Sequence, residues 1–270
     1  MNSGLRHIHS DAKIGQNVEI GPFVTIAGDV EIGDGTEIGP NVCILDGVRI
    51  GKNCKIYPGA ILGSIPQDMK FKGEYSQLIV GDNVTIREYC TLNRGTSANF
   101  HTKIGDECLI MAYVHIAHDC VIGKKCILAN CVNLAGHIEI GDKTVLGGLS
   151  AIHQFVKIGT HVMLGGGSLV RKDVPPYIKA AREPLSYVGV NSIGLRRHQF
   201  SSDQIHNIQS IYRTLYLKGY NTTQAVEQIE NKINESPERS AILEFIKKAD
   251  RGIIGFRHVT GNRTNGSRTA

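Results

Sequence analysis

The sequence predicts a mainly β protein, built as a parallel β-helix with a small α-helical domain after it. Isoleucine, leucine or valine returns at every sixth position through most of residues 14–62 and 104–170. The residue after the aliphatic is often glycine, and the fifth position of each hexad is usually small or β-branched. Amphipathic helices do not repeat at six, and ordinary strands are far shorter. A sustained hexad is typical of a parallel β-helix.

Three six-residue faces would form one triangular coil, so we expect residues 18 apart to lie above one another. Strands stack about 4.8 Å apart, so about nine or ten coils would give a prism roughly 45 Å long. The first and fifth positions of each hexad should point inward. Glycine after the aliphatic suits a corner that needs a positive φ angle.

Two stretches interrupt the hexads. In the first of them, the inward positions hold Asp68 and Glu74, and burying these charges in a narrow apolar prism would cost a large desolvation free energy. We therefore expect loops that leave the prism near residues 64–78 and 94–103. Loops on a rigid scaffold often carry function, so Gln67, Asp68 and Lys70 are candidate site residues.

A different pattern follows the last hexad. Residues 201–204 resemble a capping box that opens an amphipathic helix, and this helix should end near Gly219. Two further helices are expected near residues 222–233 and 237–248. The predicted domains are the β-helix at 1–190, with both loops, and the α-helical domain at 191–257. Residues 258–270 are rich in Asn, Gly, Thr and Arg and predict a disordered tail.

Composition narrows the class of protein. The sequence has no apolar run of about 18 residues and no signal-peptide core, which predicts a cytoplasmic protein without a transmembrane segment. A net charge of +5 without basic–aromatic interleaving gives no support for nucleic-acid binding. Seven cysteines occur without a CxxC motif. Five of them fall in the small inward position, where a thiol acts as a small hydrophobe: Cys54, Cys90, Cys108, Cys120 and Cys126.

A histidine cluster carries the candidate chemistry. The 18-residue spacing places Gly136 over His118 and Gln154 over Gly136, and it places His137 over Asp119. These residues should climb one edge of the prism, and none of the histidines occupies an inward position. The alternative is that these histidines have no catalytic role and are simply exposed to solvent at a corner of the prism. The cluster and its neighbours along the prism comprise His115, His118, His137 and His153.

The pattern suits acyl transfer. An imidazole can act as general base toward a hydroxyl, and an adjacent carboxylate can orient it, so His118 and Asp119 fit these roles. The backbone N–H of Gly136 could stabilise an oxyanion, because glycine lets a substrate approach closely. Cys120 falls in an inward position, which leaves no covalent nucleophile at this corner. Direct transfer from an activated donor to a sugar hydroxyl is therefore favoured over an acyl-enzyme.

Zinc binding is the competing hypothesis, because prism-shaped carbonic anhydrases hold zinc with three histidines. His115, His118 and His137 would be the ligands here. In that family the two ligands on one strand are five residues apart, whereas His115 and His118 are three apart. We therefore expect no metal and no other cofactor.

The chain resembles the acyl-[acyl-carrier-protein]–UDP-N-acetylglucosamine O-acyltransferases of lipid A biosynthesis from about residue 8 to residue 257. An ordered set of motifs carries the resemblance, which implies a left-handed β-helix. The motifs are Pro66-Gln67-Asp68-Met69-Lys70, His115-Ile116-Ala117-His118-Asp119-Cys120, Leu134-Ala135-Gly136-His137, His153-Gln154-Phe155, Val174-Pro175-Pro176-Tyr177, Gly189-Val190-Asn191 and Gly194-Leu195-Arg196-Arg197.

The resemblance implies transfer of a long 3-hydroxyacyl chain from acyl carrier protein to the glucosamine 3-hydroxyl of UDP-N-acetylglucosamine, the first step of lipid A biosynthesis. His118 would be the general base and Gly136 the oxyanion donor. Gly166 and Met163 would set the acyl length, and glycine at 166 implies an open groove for a long chain. The implied substrate-binding residues are Gln67, Asp68, Lys70, His115, His137, Gly148, His153, Gln154, Asn191 and Arg197.

The resemblance also implies a homotrimer and a carrier-protein partner, and the sequence departs from the family pattern at two positions. Transferases with hexad prisms form homotrimers, and their active sites lie in the clefts between prisms. We expect the same here, because the corner of a single prism offers only a shallow site. Basic residues of the helical domain could attract an acidic carrier protein. Ile193 stands where the family pattern has an acidic residue, and His198 stands where it has a second basic one.

Three alternatives stay open at this point. The first is a related hexapeptide acyltransferase that acts on an amine. It is either an enzyme whose acceptor is a 3-amino sugar nucleotide or the sister N-acyltransferase, which carries a uridine-binding domain before its prism. Another is a small acetyltransferase that uses acetyl-CoA. The third is a non-enzymatic β-helix. The hexads start by Ile8 and the chain has both the 64–78 loop and a helical C-terminus, which favours the O-acyltransferase.

Overall fold

A computed structural model describes residues 5–257 of the chain; the predicted tail at 258–270 lies outside them. Within these residues, three sheets form the faces of a prism, and their strands are parallel throughout the hexads. The first face contains β1 His7–Ile8, β4 Thr25–Ile26, β7 Cys43–Ile44, β10 Ile61–Ser64, β13 Thr91–Asn93, β16 His115–Ile116, β19 Asn133–Leu134, β22 Ala151–Ile152 and β25 Leu169–Val170.

The second and third faces follow in the same rotation around the prism. The second contains β2 Lys13–Ile14, β5 Val30–Ile32, β8 Val48–Ile50, β11 Gln77–Val80, β14 His101–Ile104, β17 Val121–Ile122, β20 Glu139–Ile140 and β23 Lys157–Ile158. The third contains β3 Glu19–Ile20, β6 Glu37–Ile38, β9 Lys55–Ile56, β12 Thr85–Ile86, β15 Leu109–Ile110, β18 Ile127–Leu128, β21 Val145–Leu146 and β24 Met163–Leu164. We call the corner between first and second faces the first edge, that between second and third the second edge, and the remaining corner the third edge.

The predicted 18-residue pitch is confirmed by the strand register. His115 pairs with Asn133 and Asn133 with Ala151, and the other faces repeat the same offset away from the loops. The hexad aliphatics are buried within the prism, as at Ile116 and Leu134, which are 0% exposed. Ile14 is 37% exposed because no full coil lies before it.

The explanation given for the repeated glycines is wrong. Most glycines that follow an aliphatic, such as Gly51, lack a positive φ, and the positive φ falls two residues later, for example 53° at Asn53; Gly63, with a φ of 82°, is an exception. These glycines lie where successive coils approach closely. A Cβ on Gly105 would be 2.7 Å from the carbonyl carbon of Gly123 in the next coil. Glycine is therefore required here by the contact between coils, not by the turn angle.

Gly105→Ala should therefore destabilise the prism. We expect overpacking against the next coil to lower the free energy of unfolding by about 1–3 kcal/mol. Gly255 is the matched control, because a Cβ there meets no atom within 4 Å. Urea unfolding of the two alanine variants tests this, and equal stability of both would contradict it.

The chain beyond the hexads adds strands as well as helices. β26 Ile178–Ala181, β27 Ser186–Val190 and β28 Gly255–Phe256 extend the third face, and the sequence did not predict them. The helices are α1 Ser192–Arg197, α2 Ser202–Leu217, α3 Thr222–Lys232 and α4 Pro237–Lys247. Ser201 and Gln204 form the predicted capping box of α2. None of the described helices has the length and apolar character needed to cross a membrane.

Both interruptions of the hexads leave the prism at the first edge. Residues 65–76, the first loop, connect β10 to β11, and residues 94–100, the second loop, connect β13 to β14. Each segment is slightly shorter than its predicted range, because β11 and β14 begin at Gln77 and His101. The two loops therefore rise beside the edge on which the sequence placed its histidines.

Candidate active site

The first edge holds the predicted histidine stack. Asp119, His137 and Phe155 occupy equivalent turn positions in successive coils, with φ angles of 60°, 61° and 65°. The His137 N–H donates to the carbonyl of His118 at 3.0 Å, and the Phe155 N–H donates to that of Gly136 at 3.1 Å. These bonds fix the vertical order of the edge, in which Gly136 lies directly over His118.

His118 and Asp119 form a tight pair. His118 Nδ1 lies 2.8 Å from Asp119 Oδ2, and the two side chains are 13% and 0% exposed. Burial alone would raise the pKa of Asp119, but hydrogen bonds from His118 and Thr96 outweigh it and lower this pKa to about 2. Asp119 is therefore an ionised carboxylate that holds one nitrogen of the imidazole.

Gly136 keeps the space above the His118 ring open. A Cβ at Gly136 would lie 2.6 Å from His118 Cε1 and 2.8 Å from Nε2. Among the hydrogen bonds of residues 5–257, none has the Gly136 N–H as donor. This N–H is therefore free, in the residue whose Cβ position is 2.8 Å from His118 Nε2, the nitrogen that faces away from Asp119.

The two other histidines near this edge have separate contacts. The His137 ring stacks on Phe155 with centroids 4.5 Å apart and meets the edge of His118 at 5.0 Å. Burial lowers the pKa of His137, and the nearby charges of Asp119 and Asp68 partly oppose this. His115 lies on the first face, where Nδ1 is 2.8 Å from a threonine hydroxyl, and burial lowers its pKa also.

The ligand atoms of His118, Asp119 and His137 lie within 4.8 Å of one another, so this group is the candidate metal set. His115, the third ligand of the zinc hypothesis, is not in that set. Asp119 Oδ2 already accepts hydrogen bonds from His118 and from Thr96. The arrangement of His118, Asp119 and Thr96 therefore suits an imidazole that a carboxylate holds in one orientation.

A cleft of about 770 Å³ runs along the second face beside the first edge. Asn99 of the second loop, and Asp250 and Arg251 after α4, contribute to its lining. Its lining is polar and charged around one aromatic ring: Asn99, His101, Asp119, Val121, His137, Glu139, Phe155, Lys157, Asp250 and Arg251.

The first loop brings its candidate residues toward this edge. Asp68 is close enough for its charge to act on His137, and its Oδ1 accepts from the Lys70 N–H at 2.9 Å. Gln67 and Lys70 are exposed on the same loop. The exposed His153 and Gln154 lie on the first edge one coil above Gly136.

The remaining expected residues lie on other edges of the same chain. Gly148 and Gly166 stack at the third edge, where a Cβ on Gly166 would be 3.2 Å from the Gly148 carbonyl oxygen, and Met163 lies beside them on β24. Asn191 lies at the second edge. Its side chain donates to the His161 carbonyl at 3.0 Å.

Asn191 also accepts from the Gly194 N–H, so its side chain caps α1. Arg197, the last residue of α1, is exposed. Within one chain, the structure gathers the His118 group, the first loop and the expected nucleotide contacts His153 and Gln154 at one edge, and it leaves the other expected acyl and nucleotide residues apart: Gly148, Met163, Gly166, Asn191 and Arg197.

Two functional neighbours of Asp119 were missed from the sequence. Thr96, in the second loop, donates to both carboxylate oxygens, and the Thr102 hydroxyl accepts from the Asp119 N–H at 2.8 Å. The only feature of the sequence that pointed to these two threonines was the second loop, which interrupts the hexads one coil before His118.

Asp119 should make a contribution to stability that depends on pH. Its pKa of about 2 lies below the ordinary 3.8, so the contribution is complete above about pH 4 and is lost as pH falls toward 2. Asp119→Asn should therefore destabilise the protein by about 2 kcal/mol at pH 7, and the difference should shrink on acidification. Urea unfolding at pH 7, 4 and 2.5 measures this; a difference independent of pH would contradict it.

The chain matches known families and proteins over most of its length. The family described as UDP-N-acetylglucosamine O-acyltransferase, domain 2, matches residues 173–254, and the bacterial transferase hexapeptide family matches 11–46, 29–64 and 101–136. An acyl-[acyl-carrier-protein]–UDP-N-acetylglucosamine O-acyltransferase of Sulfurihydrogenibium is 57% identical over 247 residues, 91% of each chain. That of Chlorobaculum parvum is 55% identical over 246 residues, 91% of this chain and 93% of its own.

A solved structure shows the same architecture. The UDP-N-acetylglucosamine acyltransferase of Bacteroides fragilis superposes with a TM-score of 0.92 at 49% identity, covering 94% of this chain and 100% of its own. The predicted left-handed β-helix with C-terminal helices is confirmed by this match and by the hexapeptide repeats. The chain therefore belongs to the family of acyl-[acyl-carrier-protein]–UDP-N-acetylglucosamine O-acyltransferases, as its motifs had indicated.

Proposed function

We propose that the protein transfers a long 3-hydroxyacyl chain from the phosphopantetheine thioester of acyl carrier protein to the 3-hydroxyl of UDP-N-acetylglucosamine, the first step of lipid A biosynthesis. Its relatives carry the names of enzymes with this donor and acceptor. The observation that carries the proposal is the His118–Asp119 pair beneath the free N–H of Gly136. The proposed place of the reaction is the cytoplasm, as expected from the sequence.

The chemistry follows from the geometry of the pair. Asp119 holds His118 Nδ1–H, which leaves Nε2 to take the proton of the sugar hydroxyl. The hydroxyl oxygen attacks the thioester carbonyl, and the Gly136 N–H stabilises the oxyanion of the tetrahedral intermediate. Collapse of that intermediate forms the ester and expels the phosphopantetheine thiolate, which takes the proton back from His118.

The nearby thiol does not suit an acyl-enzyme route. Cys120 is 0% exposed, and burial raises its pKa to about 12. Its Sγ donates to the carbonyl of Ala135 at 3.1 Å. A protonated inward thiol is a poor nucleophile, which supports direct transfer to the sugar.

The proposed active form is a homotrimer. One chain presents the His118 group at the first edge, Gly148 and Gly166 at the third, and Arg197 near the second, so a complete site needs edges of two chains. The third edge also exposes apolar side chains, with Tyr89 and Tyr113 stacked at 5.3 Å. Packing of this edge against a second copy, repeated with threefold symmetry, would bury these rings and close three equal clefts.

The other expected residues are assigned within this cleft between chains. Asp68, His115 and His137 would position the sugar and the acyl group, and Gln67 and Lys70 would approach the acyl hydroxyl. Gly148 would contact the acyl-pantetheine through its backbone. The nucleotide would meet His153, Gln154, Asn191 and Arg197, since a guanidinium is well suited to a diphosphate.

Acyl length is expected to depend on Gly166. Its Cβ position is 3.2 Å from the Gly148 oxygen, so a larger side chain would occupy the part of the third edge where we propose that the acyl chain lies. We expect Gly166→Met to shift preference toward shorter donors, by about tenfold or more in the kcat/KM ratio of long to short chains. Competition between 3-hydroxyacyl carrier proteins of several lengths measures this, and unchanged preference would contradict it.

The decisive test of the function is product analysis. The purified protein is incubated with UDP-N-acetylglucosamine and a panel of 3-hydroxyacyl carrier proteins, with acetyl-CoA as a competing donor and a 3-amino sugar nucleotide as a competing acceptor. We expect a nucleotide sugar heavier by one 3-hydroxyacyl group and cleaved by mild base, as an ester is. An acylated product only with acetyl-CoA, or only with the amine, would replace the proposal with one of its alternatives.

A further inference from the structure

The second loop contacts the active-site carboxylate directly. The Thr96 N–H donates to Asp119 Oδ1 at 3.0 Å, and the Thr96 hydroxyl donates to Oδ2 at 2.7 Å. Thr96 is buried, with 8% of its surface exposed. The loop therefore places one donor on each oxygen of the group that orients His118.

The direction of the hydroxyl bond is determined by its other contact. The Ala98 N–H donates to Thr96 Oγ1 at 3.2 Å, so one lone pair of that oxygen is occupied. The carboxylate of Asp119 has no proton to give, because its pKa is lowered to about 2. The hydroxyl proton of Thr96 consequently lies on the bond to Asp119.

With both oxygens held, the carboxylate cannot turn about its Cβ–Cγ bond without breaking a hydrogen bond. Asp119 Oδ2 stays 2.8 Å from His118 Nδ1, and the Asp119 N–H is itself held by Thr102. A carboxylate that loses the hydroxyl donor keeps only the Thr96 N–H on Oδ1 and His118 on Oδ2, so it turns more easily and holds the imidazole less firmly.

We propose that Thr96 is a positioning residue for the transfer reaction, acting through Asp119 to hold His118 with Nε2 toward the sugar hydroxyl. This inference rests on the proposed function. It also gives the second loop a role, since the loop delivers Thr96 to the first edge from a position outside the regular coil.

The two loops are joined at the same place. The Ser97 N–H donates to Glu74 Oε1 at 3.0 Å, and the other Glu74 oxygen accepts from the Lys72 N–H at 2.8 Å. Glu74 thus ties the first loop, which carries Asp68, to the residue after Thr96. The first loop and the support of the His118–Asp119 pair are therefore one connected unit.

Two substitutions at Thr96 distinguish the effect of losing its hydroxyl from the effect of changing the shape of its side chain. Thr96→Val is close in shape but has no hydroxyl, and Thr96→Ser retains it. We expect T96V to lower kcat about tenfold to hundredfold with KM changed less than about twofold, because the misplaced base affects the transition state more than ground-state binding. T96S should stay within about threefold of the parent chain.

A double-mutant cycle with Asp119→Asn shows whether Thr96 acts through Asp119. In the D119N background, T96V should lower kcat by less than about threefold, because the group that Thr96 holds is already altered. The same loss in both backgrounds, or a T96S as slow as T96V, would overturn the proposal. Thermal unfolding controls for folding, and T96A serves if T96V does not fold.

Failure of the proposed function is distinguishable from failure of this inference. If the parent chain gives no acyl transfer, the function is refuted and kinetics no longer report on Thr96. Crystal structures of the parent chain and T96V then decide the matter. A rotated Asp119 carboxylate in T96V supports the positioning role, and an unmoved one overturns it.

Discussion

We expect His118→Ala to lose nearly all transferase activity, with kcat lower by about 10²–10⁴-fold. The reason is that, among residues 5–257 near Gly136, only the His118 imidazole lies within hydrogen-bond distance of an ionised carboxylate: His137 Nε2 is 3.8 Å from Asp119 Oδ2, against 2.8 Å for His118 Nδ1. Initial rates with UDP-N-acetylglucosamine and a 3-hydroxyacyl carrier protein measure the loss.

His206→Ala is the matched control, because His206 lies on α2, where its ring contacts the carbonyl of Ser202. It should keep the parent rate. Unfolding midpoints of both variants exclude a folding defect. A His118→Ala protein with full transferase activity would refute the general-base role of His118, whereas a parent chain without transferase activity would restore the non-enzymatic β-helix as a hypothesis.

The candidate site could be predicted largely because the β-helix converts sequence spacing into distance. Gly136 lies over His118 because the register between β16 and β19 is the regular 18 residues. An aliphatic at every sixth position predicts that register without knowledge of any side-chain contact. The same regularity explains why the buried cysteines could be assigned to the core.

Prediction failed where the spacing changes. Ile61 pairs with Thr91 across the first loop and Thr91 with His115 across the second, offsets of 30 and 24 residues. The sequence shows that loops leave the prism, but not where their residues return, so the contact of Thr96 with Asp119 was hidden. The added strands β26–β28 were missed because they pair with the prism without any hexad.

The wrong explanation of the repeated glycines also bears on Gly136 in the candidate site. Turn angles in this chain are left-handed at asparagine, aspartate and histidine as well as at glycine, including Asp119 and His137. Backbone conformation therefore did not require glycine at position 136. Close contact does: the Cβ position of Gly136 falls on the His118 ring.

Gly136→Ala should consequently disable the enzyme while leaving the prism folded. The new methyl would lie 2.6 Å from His118 Cε1, so the ring must turn away from the sugar hydroxyl, and we expect kcat to fall about a hundredfold. Gly28 is the matched control, because it also packs on a histidine ring at the first edge, with its Cβ position 3.0 Å from His9 Nδ1, several coils away. If Gly28→Ala and Gly136→Ala retain equal activity, the space above His118 is not where the hydroxyl is deprotonated.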